Sequence, residues 1–420
     1  MLASGQVARP NLSRPASFWL VAVVLALCLF AASAPSPLYG VYAAIWHFSP
    51  ITLTAVYGAY SAGALAALLT TGRLSDHVGR RRVVAFALLV QIAGAAAFIV
   101  AQDVGALYIG RVLQGVGTGI AIGPLSAWLL DLEAPQGRGF GGLVGAAAPM
   151  TGLAGGALVS GALVQYAPEP LRLVYWVLAG AFALALLGTS QVRDPAMRSA
   201  GWLRSMRPQA GVPKVARPLF AALAPSVIAM WALAALYLAL GPSLAMTAIG
   251  TDDRLVGGAV IASLMGAGAI ASAFWRTADP RLVVIRGSIA IITGVAITLI
   301  AVAAGSVLGL YIGSVIAGLG FGPALGAVFR SLTPLAPPDK RSALFAAIYV
   351  VLYIALSVPT VIAGVAVTRY GLHETTYVYG VVVMALAAIT TVAVWRRTTR
   401  SETEGTSVPL ATDAGGAPLR

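Results

Sequence analysis

The sequence predicts an all-α integral membrane protein with twelve transmembrane helices in two pseudo-symmetric six-helix bundles. Composition is the first reason. The chain is 59% hydrophobic and 10% charged, with a mean hydropathy of +0.88, whereas soluble domains run at about 25% charged. Spacing is the second: apolar runs of about 20 residues, each long enough to cross a bilayer, recur along the whole chain. The third is an internal repeat. Residues 108–123 (YIGRVLQGVGTGIAIG) return as residues 311–326 (YIGSVIAGLGFGPALG), at an offset of 203 that also relates Pro135 to Pro338 and Arg138 to Arg341. A repeat at about half the chain length reads as a duplicated unit.

The runs fall at 17–42, 51–72, 81–101, 105–130, 139–165 and 172–190, forming a first bundle over 1–190. A linker follows at 191–217, carrying Arg193, Arg198, Arg204, Arg207, Lys214 and Arg217. The second bundle, 218–400, holds runs at 218–247, 255–275, 283–304, 306–330, 342–367 and 376–395. The polar tail 401–420 is expected to be disordered. Arg9, Arg14, an apolar stretch from Phe18 and Ala32-Ser33-Ala34 together look like a cleavable signal peptide. The apolar character continues to Ala44, and the charge pattern below needs twelve spans, so a retained first helix is expected.

Charge sets the orientation. The net charge of +13 suggests nucleic acid until it is mapped. With the N-terminus inside, all 27 Lys and Arg except Arg172, Arg254, Arg369 and the intramembrane Arg111 fall on the cytoplasmic side. That is the positive-inside bias, so both termini are expected in the cytoplasm, and nucleic acid is excluded as a partner. The single cysteine, Cys28, allows no intramolecular disulfide.

Several residues stand out within the spans. Gly115 and Gly119, with their repeats Gly318 and Gly322, lie four apart and expose bare backbone to a neighbouring helix. Pro149 frees a carbonyl and lets span 5 bend. Span 1 is broken at Pro35 and Pro37, and span 7 at Gly241-Pro242. Interrupted helices at equivalent places in two halves point to a transport pathway. Tyr39, Tyr42, Trp231, Tyr237, Tyr349 and Tyr353 are therefore candidates to line a cavity, each with the alternative of a packing aromatic. Arg111 and Gln114 lie inside span 4; a charge at that depth marks a coupling or binding site, with a structural arginine satisfied by carbonyls as the alternative. Ser314 takes the equivalent place in the second half.

Between spans 2 and 3 lies Gly72-Arg-Leu-Ser-Asp76-His-Val-Gly79-Arg80-Arg81. Here the chain resembles the major facilitator superfamily, whose signature in this loop is G-x-x-x-D-[RK]-x-G-R-[RK]; His77 replaces the usual basic residue. Arg111-Val-Leu-Gln114-Gly115-Val-Gly117 is similar to the family's R-x-x-Q-G-x-G pattern, and span 5 keeps only Pro149 and Gly152 of the exporters' G-P-x-x-G-G. The resemblance implies a gating role for Gly72, Asp76, Gly79, Arg80 and Arg81, with Asp76 paired among the arginines. Asp131, at the cytoplasmic end of span 4, is the expected charge partner.

The implied function is secondary transport of a small-molecule substrate by a monomeric carrier in a bacterial inner membrane, in contact with the lipid bilayer. Efflux of a drug or metabolite by proton antiport is the first reading and uptake of a small nutrient the alternative. A membrane-embedded enzyme or non-transporting sensor is the reading from another class. Proton coupling comes from the resemblance alone, since none of the 14 acids falls deep within a span. No nucleotide-binding loop, metal cluster or Ser/His/Asp constellation is visible, so no metal, cofactor or enzymatic activity is expected.

Overall fold

The computed structural model describes residues 12–72, 74–134, 139–194, 210–250, 253–337 and 340–405. The described residues form helices and connecting turns, and twelve of the helical segments are long and apolar enough to cross a membrane. The first half comprises α1 (Arg14–Ser33), α2 (Tyr39–Trp46), α3 (Pro50–Thr71), α4 (Leu74–Val78), α5 (Arg80–Ile99), α6 (Val104–Leu132), α7 (Phe140–Tyr166) and α8 (Leu173–Ser190). The second comprises α9 (Arg217–Ala239), α10 (Gly241–Ile249), α11 (Arg254–Phe274), α12 (Pro280–Ala303), α13 (Val307–Leu332), α14 (Arg341–Tyr370) and α15 (Leu372–Gly405).

Local chemistry sets most boundaries. Ser13, Ser49, Asp103, Asp253, Asp279 and Ser306 each accept a backbone N–H at the start of a helix, which satisfies one of the four donors a helix start leaves open. Pro50 and Pro280 follow such caps where the missing N–H costs nothing. Spans 9 and 10 are separated only by Ala304-Gly305-Ser306. The turn closes because Gly305 adopts φ +62°, which a side chain would resist, and Ser306 then caps α13. Arg14 closes a helix end differently: its guanidinium donates to the carbonyls of Asp131, Leu132 and Glu133 at the C-terminus of α6, where a cation also favours the helix dipole.

Spans 1 and 7 are interrupted as their prolines require. After α1 stops at Ser33, a 3-10 turn at Ser36–Leu38 leads into α2, and α9 stops at Ala239 before α10 begins at Gly241. The last helix runs from Leu372 to Gly405, through Ser401-Glu-Thr-Glu404, which contains no helix breaker. Linker residues 195–209 and tail residues 406–420 lie outside the described residues, as do Pro135, Arg138 and Pro338 of the repeat.

The two halves repeat one packing plan. In the first, α6 packs on α3 and α5, α7 on α1, and α8 on α5; in the second, α13 packs on α11 and α12, α14 on α9, and α15 on α12. The halves meet mainly through α7 with α11 and α3 with α14, two seams that this symmetry exchanges. Arg14, Arg80, Lys214, Arg276, Arg330 and Arg341 mark one end of the bundle, here called the basic face. The inter-half contacts concentrate towards the opposite face. There the Arg254 N–H donates to Gln165 Oε1 at 3.0 Å, and Gly258 of α11 lies directly against the Ala157 carbonyl of α7. Gly364 of α14 lies in the same way against the Thr54 hydroxyl of α3.

Candidate functional site

Arg111 sits seven residues into α6, about 10 Å from the helix start at a rise of 1.5 Å per residue, and is completely buried. The break in α1 accounts for part of its setting. Pro35 has no N–H to give, and α1 ends with carbonyls that its own helix does not use. Arg111 Nη1 donates to the Ala32 carbonyl at 2.8 Å, and the Ser160 hydroxyl donates to the Ala34 carbonyl at 2.5 Å. Nη1 also donates to Gln114 Oε1 at 3.2 Å. The guanidinium lies 4.6 Å from the Tyr60 ring centre and 5.1 Å from that of Tyr57, both within the reach of cation–π attraction. Gln91 of α5 closes the floor of this nest, donating to the Gln114 carbonyl at 3.2 Å and to Thr118 Oγ1 at 2.9 Å.

The nest is under-satisfied. Among the described residues, Arg111 Nε and Nη2, the Tyr39 hydroxyl and Gln91 Oε1 are buried without a hydrogen-bond partner, and no carboxylate lies within ion-pair distance of Arg111. A buried cation without a counter-charge is costly in a bilayer and marks a functional position.

The second half contributes aromatic wall. Tyr57 lies within electrostatic reach of Tyr379 and Tyr353, and Tyr60 within reach of Tyr353. Tyr353 stacks with Tyr349 at 6.4 Å, and the Trp231 ring meets Phe321 edge-on at 5.6 Å with a buried, unpartnered Nε1. The Tyr379 hydroxyl donates to the Ala232 carbonyl beside Trp231 at 2.8 Å.

Two cavity candidates sit differently. Tyr42 stacks on Trp46 at 4.9 Å and donates to the Leu171 carbonyl at 3.2 Å. Tyr237 shares hydrogen bonds with Thr298 and Ser314 inside the second bundle. Both spend their hydroxyls on packing within one half. The repeat-equivalent of Arg111, Ser314, is thus held in a neutral network.

The chain matches the Major Facilitator Superfamily over residues 18–358. The chain belongs to this superfamily. It is a multi-pass membrane protein of the twelve-helix superfamily fold, and the family is one of carriers, not enzymes. Among curated proteins it is similar to "Probable polyol transporter 4" of Arabidopsis thaliana, at 36% identity over 83 residues. That match spans 20% of this chain and 16% of the relative.

The superfamily signature lies on the basic face. Arg80 Nη1 approaches Asp131 Oδ2 to 2.6 Å, a close ion pair. Asp76 is exposed on the short α4, so the ion pair seen for Arg80 goes to the end of α6 and not to its loop neighbour. A second acid, Asp194 at the exit of the first half, accepts the backbone N–H groups of Arg80 at 3.3 Å and Arg81 at 3.1 Å. Gly79 permits this. It adopts φ +99°, and a Cβ there would lie 2.6 Å from the Asp194 carboxylate. Gly72 ends α3, and the Arg81 side chain donates to the Ser190 carbonyl at 3.2 Å. The signature therefore joins α3, α5, α6 and the start of the linker. Asp131→Asn is expected to cut transport several-fold with the protein still inserted, because a uniform loss of one inter-helix charge contact shifts a conformational equilibrium of a few kcal/mol at most. Rates measured per inserted molecule check this, and an unchanged rate would reduce the pair to a surface charge contact of little worth.

Sequence reasoning missed Gln91, Tyr57, Tyr60, Asp194 and Tyr379. Gln91 had a signal, as the strongly polar side chain in the middle of span 3, an otherwise apolar run. Tyr57 and Tyr60 also had one, because they are three apart and so share a helix face.

Proposed function

We propose that the chain exports small, partly hydrophobic organic molecules by alternating access, its two bundles rocking about the Arg111 nest. The observation that carries this reading is the nest itself. A buried, uncompensated guanidinium and two tyrosine rings face aromatic side chains of the other half, beside a helix break and near the face where the halves meet. The remnant of the exporter pattern in α7, Pro149 with Gly152, supports the direction. Gly152 presses on the Ala26 carbonyl of α1, so a bend in α7 carries α1 with it. Proton antiport is the proposed driving force. Cells lacking endogenous pumps are expected to accumulate less of a substrate dye when they express the chain, and a protonophore to reverse this. Accumulation that rises on expression would replace export by uptake. The name of the curated relative favours one second reading, carriage of a neutral polyhydroxylated compound.

The basic face is assigned to the cytoplasm of a bacterial inner membrane, on the strength of the Lys and Arg bias. Lys214 is exposed on that face. In a Cys28→Ser background, Lys214→Cys is expected to react with a membrane-impermeant maleimide only after the cells are opened. Labelling of intact cells would invert the assignment.

A further inference from the structure

We infer that the ligand of the Arg111 nest is an organic carboxylate with an aromatic or apolar body. The inference rests on the carrier reading above and names its substrate class.

The argument starts from which guanidinium atoms are used. Nη1 is occupied by the Ala32 carbonyl and Gln114 Oε1. Nε and Nη2, both buried, have no partner among the described residues. These two N–H groups are not a random pair. They point the same way along one side of the planar guanidinium, in the fork that binds both oxygens of a carboxylate at once. The guanidinium carbon also lies over the Tyr57 and Tyr60 rings, 5.1 and 4.6 Å from their centres. One edge is spent on the protein, the cation rests over two rings, and the remaining edge has the geometry of a carboxylate receptor.

Charge leads to the same class. No Asp or Glu among the described residues is within ion-pair distance of Arg111. A neutral ligand would leave the cation uncompensated, whereas an anion removes the penalty of burying it alone. The Tyr39 hydroxyl is a further unpartnered buried donor within electrostatic reach of Arg111. The rest of the ligand would meet rings: Tyr57 and Tyr60 on one side, Tyr353 and Tyr379 across the seam, and Trp231 beyond them. Tyrosine and tryptophan faces reward a flat or apolar body. A small, strongly hydrated inorganic anion would gain nothing from them. The second half, with Ser314 at the equivalent place in a neutral network, offers no competing anion site at that position.

The test uses the full-length purified chain in lipid nanodiscs. Its probes are benzoate, phenylacetate and indole-3-acetate, their primary amides, sorbitol as a neutral polyol, and sodium phosphate and chloride as inorganic anions. Thermal stabilisation and quenching of tryptophan fluorescence report binding. At least one carboxylate is expected to stabilise the protein while its amide, of nearly the same shape, does not. Arg111→Gln is expected to weaken that carboxylate by roughly thirtyfold or more, the loss typical when one partner of a buried charge pair is removed. The acid–amide comparison on the unaltered chain stands even where Arg111→Gln fails to fold. Equal binding of acid and amide, stabilisation by no carboxylate, or stabilisation by phosphate or chloride only would each overturn the inference. Binding of sorbitol or an amide, unaffected by Arg111→Gln, would also overturn it while leaving the carrier reading intact. The carrier reading itself is struck only by the absence of any effect on dye accumulation in cells.

Discussion

Arg111→Ala is expected to lower transport by at least about a hundredfold, with the protein inserted and folded. Two losses add. The Ala32 carbonyl at the end of α1 loses its donor, at a cost of about 1–3 kcal/mol for a buried group left unmade, and the charge that faces the ligand disappears, at about 2–5 kcal/mol. Arg111→Lys is expected to recover part of this, to roughly tenfold below the unaltered chain. An ammonium restores the charge but neither the contact of a planar guanidinium with the Tyr57 and Tyr60 rings nor the two-pronged edge. The duplication supplies an internal control. Ser314→Ala removes one hydrogen bond from Tyr237, which keeps its 2.9 Å contact with Thr298, so transport is expected to stay within about tenfold and well above that of Arg111→Ala, since a neutral hydrogen bond is worth about 0.5–1.5 kcal/mol. Uptake into proteoliposomes, normalised to inserted protein, measures all three. Equal damage from Arg111→Ala and Ser314→Ala would mean that both positions only support helix packing.

The contrast between Arg111 and its surroundings shows what the sequence makes legible. Span number and the duplication follow from local properties: hydropathy over about 20 residues and a fixed offset. Arg111 itself was visible because a charge inside an apolar run is rare. Its partners were not. Ala32 lies 79 residues from Arg111, and Gln91 lies 23 residues from the Gln114 carbonyl it donates to, and only the packing of α1, α5 and α6 brings them together. The basic-face signature shows the same limit. Its residues stand together in sequence, and Asp131 is their expected charge partner, but the start of α5 meets Asp194, 114 residues distant, which nothing in the loop itself indicates. Tyr42 and Tyr237 show the converse limit. A tyrosine near a helix break reads equally as a cavity or a packing aromatic, and these two hydroxyls bond inside their own bundle.

The glycines of α6 and α13 allow the largest stability effects to be forecast, with opposite signs at neighbouring positions. Each helix presents three glycines four apart, but the structure uses only two of them for close approach. A Cβ at Gly115 would run into the Tyr60 carbonyl of α3 and one at Gly119 into the Ala64 carbonyl; the repeat places Gly318 against the Leu264 carbonyl of α11 and Gly322 against the backbone of Gly268. These obstacles are main chain inside helices and cannot rotate away, so the helices must separate. At the third position the helices have diverged. A Cβ at Gly123 would be 4.0 Å from the Gly72 carbonyl, and one at Gly326 would meet nothing within 4 Å. Gly322→Ala and Gly119→Ala are therefore expected to destabilise the protein by about 1–3 kcal/mol or more, the cost of overpacking a filled interior. Gly326→Ala and Gly123→Ala are expected to be neutral or to stabilise by up to about 1 kcal/mol, since alanine is the better helix former where nothing is displaced. Thermal unfolding of the four purified variants, with the monodisperse fraction on size exclusion as a second readout, separates the two classes. Four equal results would mean that the glycine spacing reflects composition and not close packing. Damage confined to one helix would mean that the duplicated sequence no longer packs in a duplicated way.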